Sequence, residues 1–231
     1  MNGTLPLIDR ACLVRSPLTK RLLRRIGCVT VAHVRELEEA WADVRPAVVR
    51  RLMIAATEEF AVRGYHATTT RDIAAAAGLS PAGVYVHFRS KEELLYRISL
   101  IGHQHALDDI RKGATAADPV ERLRELVARF SAWHARYHVP ARVIQYELHA
   151  LSPEHLAEVA TLRRGIDAVV RETLEYGIDS GVFEVPDVGG AALVLLSLAI
   201  DVARWYRPEG TRTPESIGRL HAELAVRMFL K

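Results

Sequence analysis

The sequence predicts an all-α protein in which a small N-terminal three-helix unit with a helix-turn-helix precedes a larger helical domain. Three observations predict it. Apolar residues recur every three to four positions, with no sustained period-two alternation. Alanine, leucine, arginine and glutamate, all good helix formers, are abundant, while aromatic residues make up only 6% of the chain. Glycine, proline and capping residues fall between the periodic segments, where helices start and stop.

Residues 1–45 read as a basic N-terminal extension. Arg10, Arg15, Lys20, Arg21, Arg24 and Arg25 are opposed only by Asp9, and a helix-like stretch follows from His33 to Asp43. Pro46 then suits the first turn of a helix. Val49, Leu52, Met53, Ala56 and Phe60 form one apolar stripe that ends at Gly64. A short helix is expected from about Thr70 to Ala77, closed by Gly78, where a tight turn needs positive φ. Ser80 is a good N-cap for a third helix running to about Phe88. Ser90 and Glu93 match a capping box opening a long fourth helix. Beyond Gly113, the prolines 119, 140, 153, 186, 208 and 214 punctuate five further helical segments. The domains expected are 1–45, 46–92 and 93–231.

The chain carries 31 basic and 28 acidic residues, but unevenly: residues 1–97 have a net charge of +5 and the remainder −2. A basic first part points to a polyanionic partner there. Cys12 and Cys28 do not make a disulfide framework, and a reducing compartment, the cytoplasm, is expected. The longest apolar run, Val188 to Ile200, is shorter than the roughly 20 residues that span a bilayer. No membrane partner is expected. There is no G-x-S-x-G, P-loop, G-x-G-x-x-G or H-E-x-x-H, so neither catalysis nor a cofactor is expected.

The most informative stretch is residues 64–95, G-Y-H-A-T-T-T-R-D-I-A-A-A-A-G-L-S-P-A-G-V-Y-V-H-F-R-S-K-E-E-L-L. Ile73, Ala74 and Ala77 give the short helix an apolar face, and Leu79, Val84 and Phe88 would lock the next helix across it. That is helix-turn-helix logic, with the second helix presented to the major groove. Over residues 47–97 the pattern resembles the TetR family of bacterial transcriptional regulators. The resemblance implies that Thr70 and Lys91 meet phosphates and that Arg71 reaches base edges or backbone. Ser80, Pro81, Ala82, Gly83 and Val86 join the candidate DNA-binding residues, with Pro81, Ala82 and Gly83 towards the major groove. Tyr85 and His87 match positions that contact phosphates. Val86 stands where many relatives carry an aromatic residue, and Pro81 and Ala82 where polar side chains often read bases. Specificity would then lean on thymine methyls, Arg71 and DNA shape.

The same resemblance implies that the rest of the chain dimerises and holds a small effector. Val188 to Val202 is apolar nearly all round, as a helix buried on more than one face would be. Candidate effector contacts are Trp133, Tyr137, Tyr146, Glu147 and Trp205, with His134, His138 and Tyr206 beside them. Arg204-Trp205-Tyr206-Arg207-Pro208 looks like a stretch in repressors of fatty-acid or sterol breakdown, which suggests a lipid-like or acyl-CoA effector. The expected partners are double-stranded DNA, this effector and a second copy of the chain. Two alternatives stay open: a metal- or redox-responsive regulator using His134 and His138 or the two cysteines, and a ligand-binding module without DNA binding.

Overall fold

The computed structural model describes the backbone of residues 31–231 and side chains from Glu36 onward. The cysteines and the arginines and lysine of residues 10–25 lie outside the described residues. Helix α1 (Val31–Ala40) is followed by α2 (Ala47–Arg63), α3 (Thr70–Ala76), α4 (Pro81–Tyr85) and α5 (Lys91–Gly113). Then come α6 (Pro119–Arg136), α7 (His138–Glu147), α8 (Pro153–Asp179), α9 (Val188–Ile200), α10 (Val202–Trp205) and α11 (Pro214–Phe229). No strand occurs among the described residues, only an isolated bridge between Phe183 and Leu230.

The boundaries follow local chemistry. Thr69 caps α3 through a reciprocal box: its Oγ1 accepts from Asp72 N at 3.2 Å, and Asp72 Oδ2 accepts from Thr69 N at 2.9 Å. Gly78, at φ 65°, makes the inter-helix turn. Ser80 Oγ accepts from Gly83 N at 3.1 Å, with Pro81 in the first turn of α4. Ser90 Oγ caps α5 at 3.0 Å from Glu93 N, while the Glu93 carboxylate accepts from Arg89 N at 2.6 Å, one residue before the cap.

One departure from the sequence pattern stands out. Six α-helices and a 3-10 turn (Leu148–Ala150) follow α5, where five segments were expected. Pro140 lies inside the first turn of α7, where its missing N–H costs nothing, and the break from α6 falls just before it at Tyr137, as the proline implies. The apolar stretch after Val188 breaks at Asp201 into α9 and α10. By length and apolar composition alone the 18-residue run Val188–Trp205 could cross a bilayer, a test that the core helices of soluble proteins also pass.

Two main cores fill the molecule, and α5 runs through both. The first joins Leu37, Trp41 and Val44 with Leu52, Met53 and Phe60 of α2, Ile73 and Val84 of the short helices, and Leu94, Leu95 and Ile98 of α5. Val139, Val143 and Ile144 of α7 complete it. This core crosses residue 92, so the helix-turn-helix and the following domain share buried surface. The second gathers the later half of α5 with α6, α8, α9 and α11.

The stretch 36–44 is therefore part of the folded body. Its apolar residues Leu37, Trp41 and Val44, spaced four and three apart, are at most 7% exposed. The Glu36 carboxylate accepts from Val139 N at 2.9 Å, at the start of α7.

Candidate functional site

Helices α3 and α4 present a solvent-facing surface. Ile73, Ala74, Val84 and Phe88 are buried and hold the pair to α2, as their spacing predicts. Arg71, Ser80, Pro81, Ala82, Tyr85 and Val86 are exposed, Val86 at 77% and Tyr85 at 56%. Thr70, Gly83 and His87 are half-buried. Ser80 spends its hydroxyl oxygen on the cap, accepting from Gly83 N. A free guanidinium, a phenol and small apolar side chains thus share one outward face, a suitable surface for phosphate contact and thymine methyls.

Lys91, expected at a phosphate, has a different employment. Its Nζ donates to Tyr65 O at 2.6 Å and Thr68 O at 2.7 Å, and lies 4.1 Å from the Tyr65 ring centroid. Partial burial pushes its pKa down, opposed by the nearby Glu147 carboxylate. The ammonium thus pins the turn between α2 and α3 to the start of α5.

Glu147, expected in the effector site, also serves this junction. Its Oε1 accepts from Tyr65 N at 3.1 Å, joining the end of α7 to the same turn. Tyr65 is held from both sides, by α5 and by α7. A second tie links α5 to α8, where Glu92 accepts from Ser152 N at 2.9 Å and faces His155 Nδ1 at 2.8 Å.

Beyond this junction lies a cavity of about 400 Å³ among α5, α6, α7, α8 and α9. Gly102, Ala106, Phe130, Ile144 and Leu196 give it apolar walls, and the exposed Arg163 and Arg164 stand at its rim. Of the five candidate effector residues, Trp133 lines it. Tyr137 lines a neighbouring cleft against Trp41, and Tyr146 and Trp205 are exposed at 53% and 40%. His134 also lines the cavity, but His138 does not: the helix breaks at Tyr137, and His138 Nδ1 faces Glu36 at 3.2 Å instead. The i, i+4 histidines therefore do not share a face. Among the described residues, no group of three His, Cys, Asp or Glu side chains could hold a metal ion.

Comparison with known proteins gives this architecture a family. Residues 52–98 match the model of bacterial regulatory proteins of the tetR family, and residues 116–229 match a tetracyclin repressor-like C-terminal domain. The HTH-type transcriptional repressor KstR2 of Mycolicibacterium smegmatis is 31% identical over 187 residues, covering 76% of this chain and 86% of the relative. The chain belongs to the TetR family. A solved tetR-family regulatory protein from Rhodococcus RHA1 is 42% identical with a TM-score of 0.76, covering 79% of this chain and 97% of that one. The fatty acid metabolism regulator protein of Bacillus subtilis is 29% identical over 137 residues, covering 57% of this chain and 68% of the relative. This TetR-family protein is thus a helix-turn-helix transcriptional regulator. Its α1 precedes both matched regions, and its cavity is built from α5 and the tetracyclin repressor-like part.

Proposed function

We propose that this TetR-family chain is a cytoplasmic repressor that binds a palindromic operator as a homodimer and is released by a small hydrophobic effector, of which an acyl-CoA is the best-fitting class. The observation that carries the reading is the double attachment of Tyr65. One tether comes from α5 and the other from α7, and both helices also wall the apolar cavity. A molecule that spreads these helices moves the turn that orients α3 and α4. An acyl chain suits the apolar walls, and Arg163 and Arg164 at the rim suit the anionic head. Relatives named for repression and for fatty acid metabolism agree with this class.

The dimer reading rests on two unpartnered apolar faces. Leu193 and Val194 of α9 are 65% and 48% exposed, and Leu220, Leu224 and Met228 line one stripe of α11 at intervals of four. Such a face on neighbouring helices suits a symmetric interface. Two copies would present their α4 helices to half-sites about one turn of DNA apart.

The test is fluorescence anisotropy on DNA from upstream of the chain's own gene, with and without octanoyl-CoA. Saturable binding that falls steeply with salt, and release by the thioester, are expected. Binding with no release would remove the acyl-CoA class. The absence of sequence-specific binding would remove the repressor reading.

A further inference from the structure

The cavity contains two buried groups that an acyl chain leaves unused. His103 of α5 and His134 of α6 both line it, and they are only 9% and 7% exposed. In each ring, Nδ1 lies 2.8 Å from the carbonyl oxygen four residues earlier, Ser99 O for His103 and Phe130 O for His134. A carbonyl oxygen only accepts, so Nδ1 carries the proton in both rings. That assigns the tautomer: the second nitrogen, Nε2, holds a lone pair. Burial pushes both pKa values down to about 4, with Arg163 beside His103 acting in the same direction. Near neutral pH both rings are uncharged acceptors.

Neither Nε2 has a hydrogen-bond partner among the described residues, and neither is among the partnerless atoms sealed within protein. With Nδ1 turned back to its own helix, Nε2 is the nitrogen that each ring has left for an occupant of the chamber it lines. The surroundings are apolar: Phe130 stacks edge-on to His134 with ring centroids at 4.5 Å, and Trp133 does so at 5.0 Å. An acceptor held in such walls is costly unless an occupant donates to it.

The charges narrow the donor. Asp167 also lines the chamber, but its carboxylate accepts from Arg171 Nε at 2.5 Å, so an ammonium inside would meet the positive field of Arg163 with that carboxylate already paired, and a carboxylate would face two lone pairs. An uncharged O–H satisfies the site without either penalty.

We propose that the cavity selects an effector with a hydroxyl on its apolar body, which donates to Nε2 of His103 or His134 while the anionic end stays with Arg163 and Arg164. This rests on the cavity being the effector site. The effector class is then a hydroxylated lipid-like anion, such as a hydroxyacyl thioester, and not its counterpart without the hydroxyl.

The experiment is calorimetric titration of the full chain with a matched pair, 3-hydroxyoctanoyl-CoA and octanoyl-CoA. The wild type should prefer the hydroxy compound by about 10- to 100-fold, the range expected when a buried acceptor gains or lacks its donor. His134→Phe and His103→Phe should lower the preference, and a double variant should abolish it while still binding octanoyl-CoA. His134→Gln, which restores an acceptor oxygen, should recover part of it. Nitrogen NMR provides a second readout: the Nε2 resonances should move on binding the hydroxy compound, while the Nδ1 resonances stay. Equal affinity of the wild type for both compounds, or still Nε2 resonances, overturns the proposal and leaves the acyl-CoA reading intact. If neither compound binds while operator binding persists, the acyl-CoA class falls and this inference falls with it.

Discussion

Glu36 supplies the sharpest test of how α1 is held. It is 8% exposed, accepts from Val139 N at 2.9 Å, and lies 3.2 Å from His138 Nδ1. Burial pushes its pKa from 4.5 up to about 8, against the pull of the Val139 N–H and of Arg142, with Glu39 adding to the rise. Tyr137 and Tyr206 are the remaining titratable neighbours. An acid with a raised folded pKa keeps a proton that the unfolded chain releases. Its contribution is complete below pH 4.5 and drains away as pH rises through about 8. At about 1.4 kcal/mol per pH unit, the fold loses up to about 5 kcal/mol across that window. Glu36→Gln keeps an oxygen for Val139 N–H and has no proton to lose. In urea unfolding it should match the wild type within about 1 kcal/mol near pH 5 and exceed it by about 2–5 kcal/mol near pH 8. Other titrating groups are common to both proteins and cancel in the difference. A glutamine variant less stable than the wild type throughout pH 6 to 8 would show an ionised carboxylate paired with a His138 imidazolium, and would refute the reasoning.

Three further substitutions probe other parts of the molecule. Lys91→Met leaves the carbonyls of Tyr65 and Thr68 without their donor and should cost about 1–3 kcal/mol in thermal unfolding. The salt slope of operator binding should not change, whereas a slope smaller by about 0.9 would show that the ammonium leaves those carbonyls for a phosphate. Gly177→Ala drives a methyl group into the Phe183 ring, and Phe183 is 1% exposed, so a loss of about 2 kcal/mol or more is expected by calorimetry. Unchanged stability would mean that Phe183 repacks freely. Leu224→Glu, on the exposed stripe of α11, should give a folded monomer by light scattering; a persistent dimer would move the interface elsewhere.

The helix-turn-helix was legible because its determinants are local. Thr69, Gly78, Ser80 and Ser90 act within four residues of themselves, and Ile73, Val84 and Phe88 occupy the buried positions that their spacing implies. The role of Lys91 was not, because a motif marks the position of the ammonium and not the carbonyls within its reach. The cavity was the least legible part. Its walls come from five helices separated by up to about a hundred residues, and aromatic content drew attention to Tyr146 and Trp205, which face solvent. His103 and His134 carried one usable signal: each lies on the apolar face of its helix, where a histidine needs a reason to be. The i, i+4 spacing of His134 and His138 misled because a helix boundary falls between them.

Helix α1 has a consequence for engineering. Regulators of this family invite chimaeras in which the DNA-reading half of one protein is grafted onto the sensing half of another. Here the natural seam is a poor place to cut. Leu37, Trp41 and Val44 lie in the core that also joins α2, α5 and α7, and Glu36 ties α1 to the first turn of α7. A graft that begins at Pro46 would uncover that core, and one that carries α1 to a foreign sensing half would bury the Glu36 carboxyl against a surface with no matching N–H. The exchangeable unit is the helix-turn-helix together with α1 and the face of α7 on which it rests.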